Sequence, residues 1–323
     1  MKKVLFTTTA LVAFAGAASA EVSLSGYAEM GIKGGTALET QFHNDIDVKF
    51  SLSGETDNGL TFGATIDLDE INASAEVGGT GTLNNSSVFI SGAFGTVTLG
   101  DTDGALDWAM QEVGIGTSLM DDHTTHAGFN FNSGHDGVYD GQVLRYNNTF
   151  GAFGVALSVE QDDDTVAGII GDGITASTTW GLGVKYNAAL GGVDLGLGLG
   201  YQSDSTNDIW GLSVDAKFGG GFRAILNYSD LDGKIVAADP MDKHVGIGVG
   251  YTMDALTLSA NYGIFSAVAA NSDHIGYGLA VNYDLGGGAV VMAGYGHSEI
   301  EAATLGVADT GSNTWSIGLG LSF

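Results

Sequence analysis

Residues 313–323 alternate without a break: Trp315, Ile317, Leu319, Leu321 and Phe323 fall on one parity, and Thr314, Ser316, Gly318, Gly320 and Ser322 on the other. A β-strand sends successive side chains to opposite faces, so this segment reads as a strand with one greasy face and one small or polar face. The pattern recurs along the chain. Residues 22–33 set Val22, Leu24, Ala28, Met30 and Ile32 against Ser23, Ser25, Tyr27, Glu29 and Lys33; residues 45–53 set Ile46, Val48, Phe50 and Leu52 against Asp45, Asp47, Lys49 and Ser51. Period-two runs bounded by Gly, Asn and Asp clusters predict about sixteen strands. No other part of the chain can cover so much apolar surface, which predicts an all-β fold: a transmembrane antiparallel barrel with its apolar parity toward lipid and its polar parity toward a lumen.

Aromatic positions sharpen this reading. Tyr186, Phe218, Tyr251, Tyr283 and Phe323 close strands running one way, and Tyr201, Tyr228, Tyr262 and Tyr295 close strands running the other, all on the apolar parity. Two rows at the two ends of the barrel are what interfacial girdles require. Connections alternate as well. Those at 54–59, 187–192, 219–221, 252–255 and 284–288 are short, whereas those at 70–84, 161–178, 231–242 and 298–312 are longer.

Composition then bounds the chain. Lys2 and Lys3, an apolar run over residues 4–16 and the small-residue site Ala18-Ser19-Ala20 predict an export signal over residues 1–20, leaving residues 21–323 as one barrel domain. The absence of cysteine excludes a disulfide framework. The single proline, Pro240, falls in a predicted loop. The 53 glycines alternate with Leu, Val and Tyr, as in residues 195–200, and on the inward parity such small residues predict a wide lumen. A formal net charge of -28 argues against a nucleic-acid partner, which needs clustered Lys and Arg, and favours cations.

The connection over residues 102–140 is too long for an ordinary structureless loop and points to function. The stretch from Gly95 through Leu99-Gly100-Asp101-Thr102-Asp103-Gly104-Ala105-Leu106-Asp107 resembles the strand-to-third-loop junction of the general porins of purple and related alphaproteobacteria. Arg145-Tyr146-Asn147-Asn148 followed by Phe150-Gly151-Ala152-Phe153, the opening Val22-Ser23-Leu24-Ser25-Gly26-Tyr27 and the terminal Phe323 resemble the same family. The resemblance implies a sixteen-stranded barrel assembled as a homotrimer, a third loop folded into the lumen as a constriction, and a terminal aromatic read by the barrel assembly machinery. It implies acidic constriction residues among Asp101, Asp103, Asp107, Glu112, Asp121 and Asp122, facing basic wall residues among Lys33, Lys49, Arg145, Lys185 and Arg223. The chain departs from that pattern in having only two arginines and in carrying Glu29 where relatives commonly have arginine, which predicts a cation-preferring pore for ions and small hydrophilic solutes.

Other chemistries have weaker support. His123 and His126 stand three residues apart in the long connection with His135 nearby, a spacing that meets a metal only on a helix. No cofactor is required; Asp162-Asp163-Asp164 and Asp101-Thr102-Asp103 offer oxygen ligands for Ca2+ without the spacing of a calcium loop. No nucleophile signature marks an enzyme. Two alternatives stay open: a substrate-specific pore, for which only Tyr27 and Phe89 supply lumen aromatics, and a plugged structural or adhesive barrel, against which the small inward residues argue.

Overall fold

A computed structural model describes residues 21–36, 38–68, 86–119, 124–136, 142–161, 178–204, 206–236, 239–269, 272–301 and 310–323. The proposed export signal, Asp121, Asp122, His123 and Asp162 to Asp164 lie outside the described residues. Sixteen strands close an antiparallel barrel. They are β1 (Glu21–Gly35), β2 (Gln41–Glu55), β3 (Thr61–Leu68), β4 (Ser86–Gly92), β5 (Gly95–Gly100), β6 (Val143–Phe150), β7 (Phe153–Gln161), β8 (Thr178–Leu190), β9 (Val193–Ser203), β10 (Asp208–Phe218), β11 (Phe222–Asp230), β13 (Asp239–Met253), β14 (Leu256–Ala267), β15 (His274–Gly286), β16 (Ala289–Ile300) and β17 (Thr310–Ser322). A two-residue strand, β12 (Ile235–Val236), pairs only with the start of β13. Each wall strand pairs with its sequence neighbours, and β1 closes the ring on β17 with Ile32 opposite Ile317.

The register fixes one inward row after another around the ring. Thr98 of β5 faces Arg145 of β6, which faces Ser158 of β7, then Gly181 of β8 and Gln202 of β9. Residues one step away, such as Leu157, Leu182, Leu199, Leu212 and Leu226, are exposed on the outside, where only hydrocarbon suits them. Outward aromatics pair in two bands. Phe153 with Tyr186 and Phe222 with Tyr251 lie at the short-turn end, at centroid separations of 4.8 and 4.4 Å; Trp180 with Tyr201 and Trp210 with Tyr228 lie at the other, at 5.1 and 5.2 Å. The short turns need left-handed backbone: Gly191 and Gly192 between β8 and β9 have φ of 60° and 89°, which suits a two-residue hairpin.

The apolar core lies inside the barrel, between the long connection and the wall. Leu106 and Met110 of that connection bury against Ile209, Leu231, Met241 and Phe265, and its Val113 and Phe129 bury against Ile225. The connection contains one short helix, α1 (Ala105–Ala109), whose Ala105, Leu106 and Ala109 are buried.

Candidate functional site

The long connection folds inward and lies against the wall in two passes. The outbound pass crosses from β7 to the seam between β17 and β1. A Cβ at Gly183 would collide with the Ala105 carbonyl, at Gly198 with the Ala109 carbonyl and at Gly248 with the Val113 carbonyl, and Leu119 wedges over Gly31 and Gly318. The return pass runs back from β15 to β9, where Cβ atoms at Gly278 and Gly263 would collide with the carbonyls of Thr124 and Gly128. These glycines are therefore floor for the loop backbone. The expectation that inward glycines only widen the lumen needs correction: on β8 to β17 they let the loop approach to backbone contact.

Inward Ser and Asn side chains complete the docking strip. Backbone N–H groups of Ala105, Gln111, Gly116 and Ala127 donate to the hydroxyls of Ser158, Ser213, Ser259 and Ser298 at 2.8, 2.9, 3.1 and 3.0 Å. Asn282 accepts from Thr117 N–H at 3.3 Å and donates to Thr117 O at 2.8 Å, as a neighbouring strand would. Asn227 Nδ2 donates to Gln111 O at 2.8 Å. Buried backbone groups need such partners, and each net hydrogen bond contributes about 0.5–1.5 kcal/mol. At the loop ends, Asp136 accepts from Gly104 N–H at 3.0 Å and from Gln202 Nε2, while Gln202 Oε1 accepts from His135 N–H at 2.5 Å. Gln202 is fully buried by this clasp.

His126 and His244 hold the return pass from two sides. His126 Nδ1 accepts from Gly128 N–H at 3.1 Å, which leaves Nε2 to donate to Asn261 Oδ1 at 3.0 Å; His244 Nε2 donates to Gly128 O at 3.0 Å. Both roles of His126 require the neutral ring. Burial, opposed by the Asn261 bond, pushes the His126 pKa down to about 4.

The basic residues expected on the wall are inward, but they divide between two kinds of partner. Arg145 Nη1 donates to Asp103 O at 2.6 Å and lies 3.8 Å from the Asp103 carboxylate, so it does face the loop. Lys185 Nζ stands 4.1 Å over the Trp108 ring, a cation–π contact that seats α1 on β8. Arg223 instead makes a two-bonded pair with Asp215 of the neighbouring strand, at 2.9 and 3.0 Å, and Lys49 pairs with Asp67 across β2 and β3 at 3.3 Å. Lys33 shares the inward parity of β1 with Glu29, beside β2.

Of the acidic loop candidates, Asp101, Asp103 and Asp107 gather where the outbound pass leaves β5, and Glu112 is exposed farther along it. Burial, then the neighbouring Asp103, pushes the Asp107 carboxyl up to about 7 against the pull of Arg145, Lys185 and Lys234. Burial, then Glu160 and Asp107, pushes Asp136 up to about 7 despite the Gly104 bond. Asp136, Glu160 and Lys234 are members of this cluster that sequence reasoning missed, and only spatial closure of the loop ends brings them together. Among the described residues, no three His, Asp or Glu side chains gather closely enough to hold a metal.

The loop's described contacts run from β6 round to β1 and leave β2 to β4 uncovered. On that bare side Asp47 faces Tyr27, Asp45 faces Glu29 and Lys49 faces Asp67, and His43 Nε2 lies 3.4 Å from Glu29. Glu29, Asp45, Asp47 and Asp67 thus stand against Lys33 and Lys49.

A family model described as Gram-negative porin matches residues 7–303. The porin of Rhodobacter capsulatus is 30% identical over 331 residues, covering 90% of this chain and 98% of that relative. A solved porin structure refined at 1.8 Å superposes with a TM-score of 0.65 at 26% identity, over 94% of this chain and 100% of the other. An engineered variant of the Rh. blastica porin superposes with a TM-score of 0.65 at 20% identity over the same shares, a likeness of fold.

Proposed function

The chain belongs to the Gram-negative porin family and forms a non-enzymatic channel in the outer membrane, and from that premise we propose that it is a cation-preferring diffusion pore for ions and small hydrophilic solutes. The observation that carries this reading is the sign of the charge on the bare arc of β2 to β4 together with β1, where four carboxylates, Glu29, Asp45, Asp47 and Asp67, share the inward parity with two lysines, Lys33 and Lys49. Solutes pass between that arc and the loop. The loop narrows the passage, and an excess of carboxylates over cations along the wall lowers the barrier for cations. Pairing of Arg223 with Asp215 removes a cation from the opposing side.

In a planar bilayer under a KCl gradient, the reversal potential should show K+ passing more readily than Cl-. The bias should shrink as salt shortens the screening length from about 10 Å at 0.1 M to about 3 Å at 1 M. Anion preference would overturn the reading.

Homotrimeric assembly belongs to the same proposal. It rests on the family and on the outward small residues Gly26, Ala28 and Ala64, which permit close approach between barrels. A monomer in mild detergent with one conductance step per insertion would count against it. Residues 1–20 are proposed as the export signal and Phe323 as the assembly signal. Phe323 closes on β1 through Gly26, its N–H donating to Gly26 O at 2.8 Å, while its side chain stays 77% exposed at the short-turn end.

A further inference from the structure

The return pass of the loop presents one aromatic ring to the lumen. Asn130 and Asn132 are buried toward the wall, whereas Phe131 between them is 47% exposed. With Asn130 and Asn132 anchored to the β11 wall through Ser229 and Asn227, the exposed side of this segment, and Phe131 with it, is turned to the water-filled channel. Phe131 is therefore unlike the other exposed apolar residues of this chain that meet lipid.

Its flanks are fixed. Asn130 Nδ2 donates to Ser229 Oγ at 3.4 Å, and Asn130 Oδ1 accepts from Asn132 N–H at 3.0 Å. Asn227 Nδ2 donates to Asn132 Oδ1 at 2.9 Å. Asn132 has a φ of 60°, a left-handed turn that Asn adopts more readily than other side chains. Behind Phe131, the ring of Phe129 stacks at 4.9 Å with a 59° tilt and is itself buried against Val113 and Ile225. A single exposed apolar side chain is ordinary. This one is held in place by buried amides on both sides, a constrained turn and a backing ring.

We propose that Phe131 is a contact subsite at which solutes bearing both an apolar or aromatic face and a positive charge pause in the channel. The ring face offers stacking, and its negative quadrupole attracts a cation. The charge half of this proposal rests on the cation-preferring reading above and on the net charge of -28; the ring half does not.

The test is block of KCl current in planar bilayers by benzylammonium, ethylammonium and benzyl alcohol. Benzylammonium should block at a concentration roughly 3- to 10-fold lower than ethylammonium. Phe131→Leu, which keeps an apolar side chain over Phe129 but removes the π face, should abolish that difference and leave KCl conductance unchanged. If Phe131→Leu leaves benzylammonium block intact, or changes conductance and all three probes alike, the ring is structural and the proposal fails. If benzyl alcohol blocks as well as benzylammonium and both effects vanish in Phe131→Leu, the ring subsite stands and the cation-preferring reading falls.

Discussion

Gly196 and Gly198 sit two residues apart on the inward face of β9 and have opposite reasons for being glycine. At Gly196 a Cβ would find Asn187 Oδ1 at 3.2 Å and Asp215 Cβ at 3.7 Å, a tight but yielding site below the loop. At Gly198 it would strike the carbonyl of Ala109 and lie 2.6 Å from Ser213 Oγ. The same contrast holds between the two sides of the barrel. The covered arc, β6 round to β1, uses mainly Gly, Ser and Asn to bind a loop, whereas the bare arc, β2 to β4, carries charged side chains on its inward face. Small inward residues therefore do not have one meaning: beneath the loop they give adhesion, and elsewhere they give space.

The largest effect should come from filling the floor. Gly183→Val combined with Gly198→Val forces α1 off the wall, and overpacking of this kind costs typically about 1–3 kcal/mol per site. The helix start also loses Ser158 as an acceptor, and Gln111, just past the helix, loses Ser213. Single-channel conductance and exclusion of sugars of graded size should both change, while Gly196→Ala should leave them close to the unmodified protein. Equal tolerance of the two changes would mean that the loop does not depend on this floor.

Next in size is the loop's far end. Asn282→Val removes the partner that Thr117 N–H and Thr117 O share, and at this half-buried site the loss costs about 1 kcal/mol, the low end of the range for an unmatched polar group. Proteolysis or hydrogen exchange in the segment around Thr117 should speed up several-fold. Barrel melting should move little, because the wall ladder is untouched. A drop in barrel stability as large as the local one would show that loop and wall unfold as one unit.

Much of this was legible in the alternation of the chain and some was not. Parity alone placed Lys49, Arg145, Lys185 and Arg223 on the inward face, because the pleat admits no other choice once the greasy face is outside. It also set the strand count and the two aromatic bands. Partners were not legible. Whether Arg223 meets a loop carboxylate or Asp215 depends on the stagger of β10 against β11, where Lys217, not Asp215, is directly opposite Arg223. The docking role of Ser158, Ser213, Ser259 and Ser298 was hidden for a related reason: a serine that accepts from a loop N–H 53 residues or more away has no local signature. A usable sign did exist, the concentration of inward Gly with Ser from β8 onward, opposite the long connection.

A smaller effect should separate the arcs electrostatically. A carboxylate about 4 Å from a passing ion is worth about 1 kcal/mol in water. Asp45→Asn with Asp47→Asn on the bare arc should therefore lower the K+ to Cl- permeability ratio by up to about five-fold for each charge removed, less where salt screens it. Asp215→Asn on the covered arc should lower it as well, by releasing Arg223 from its pair, but through one charge only. If the covered-arc change moves the reversal potential more than the bare-arc double change, ions do not follow the bare wall.

The smallest effect expected is a pH step confined to the loop entrance. Asp107 and Asp136 both have carboxyls pushed up to about 7, chiefly by burial. A carboxyl with a raised pKa is neutral below that value, so these two contribute negative charge only as the pH climbs through about 7. Cation preference should accordingly be weaker at pH 6 than at pH 8. His126, pushed down to about 4, stays neutral over that whole interval and keeps its bonds to Gly128 and Asn261, so the loop itself should not move. Asp107→Asn should shrink the step without shifting the conductance at pH 6, because at that pH the native side chain is already uncharged. A reversal potential that is flat between pH 6 and pH 8, or a step that survives Asp107→Asn at full height, would place the entrance carboxylates outside the ion path and leave selectivity to the bare arc alone.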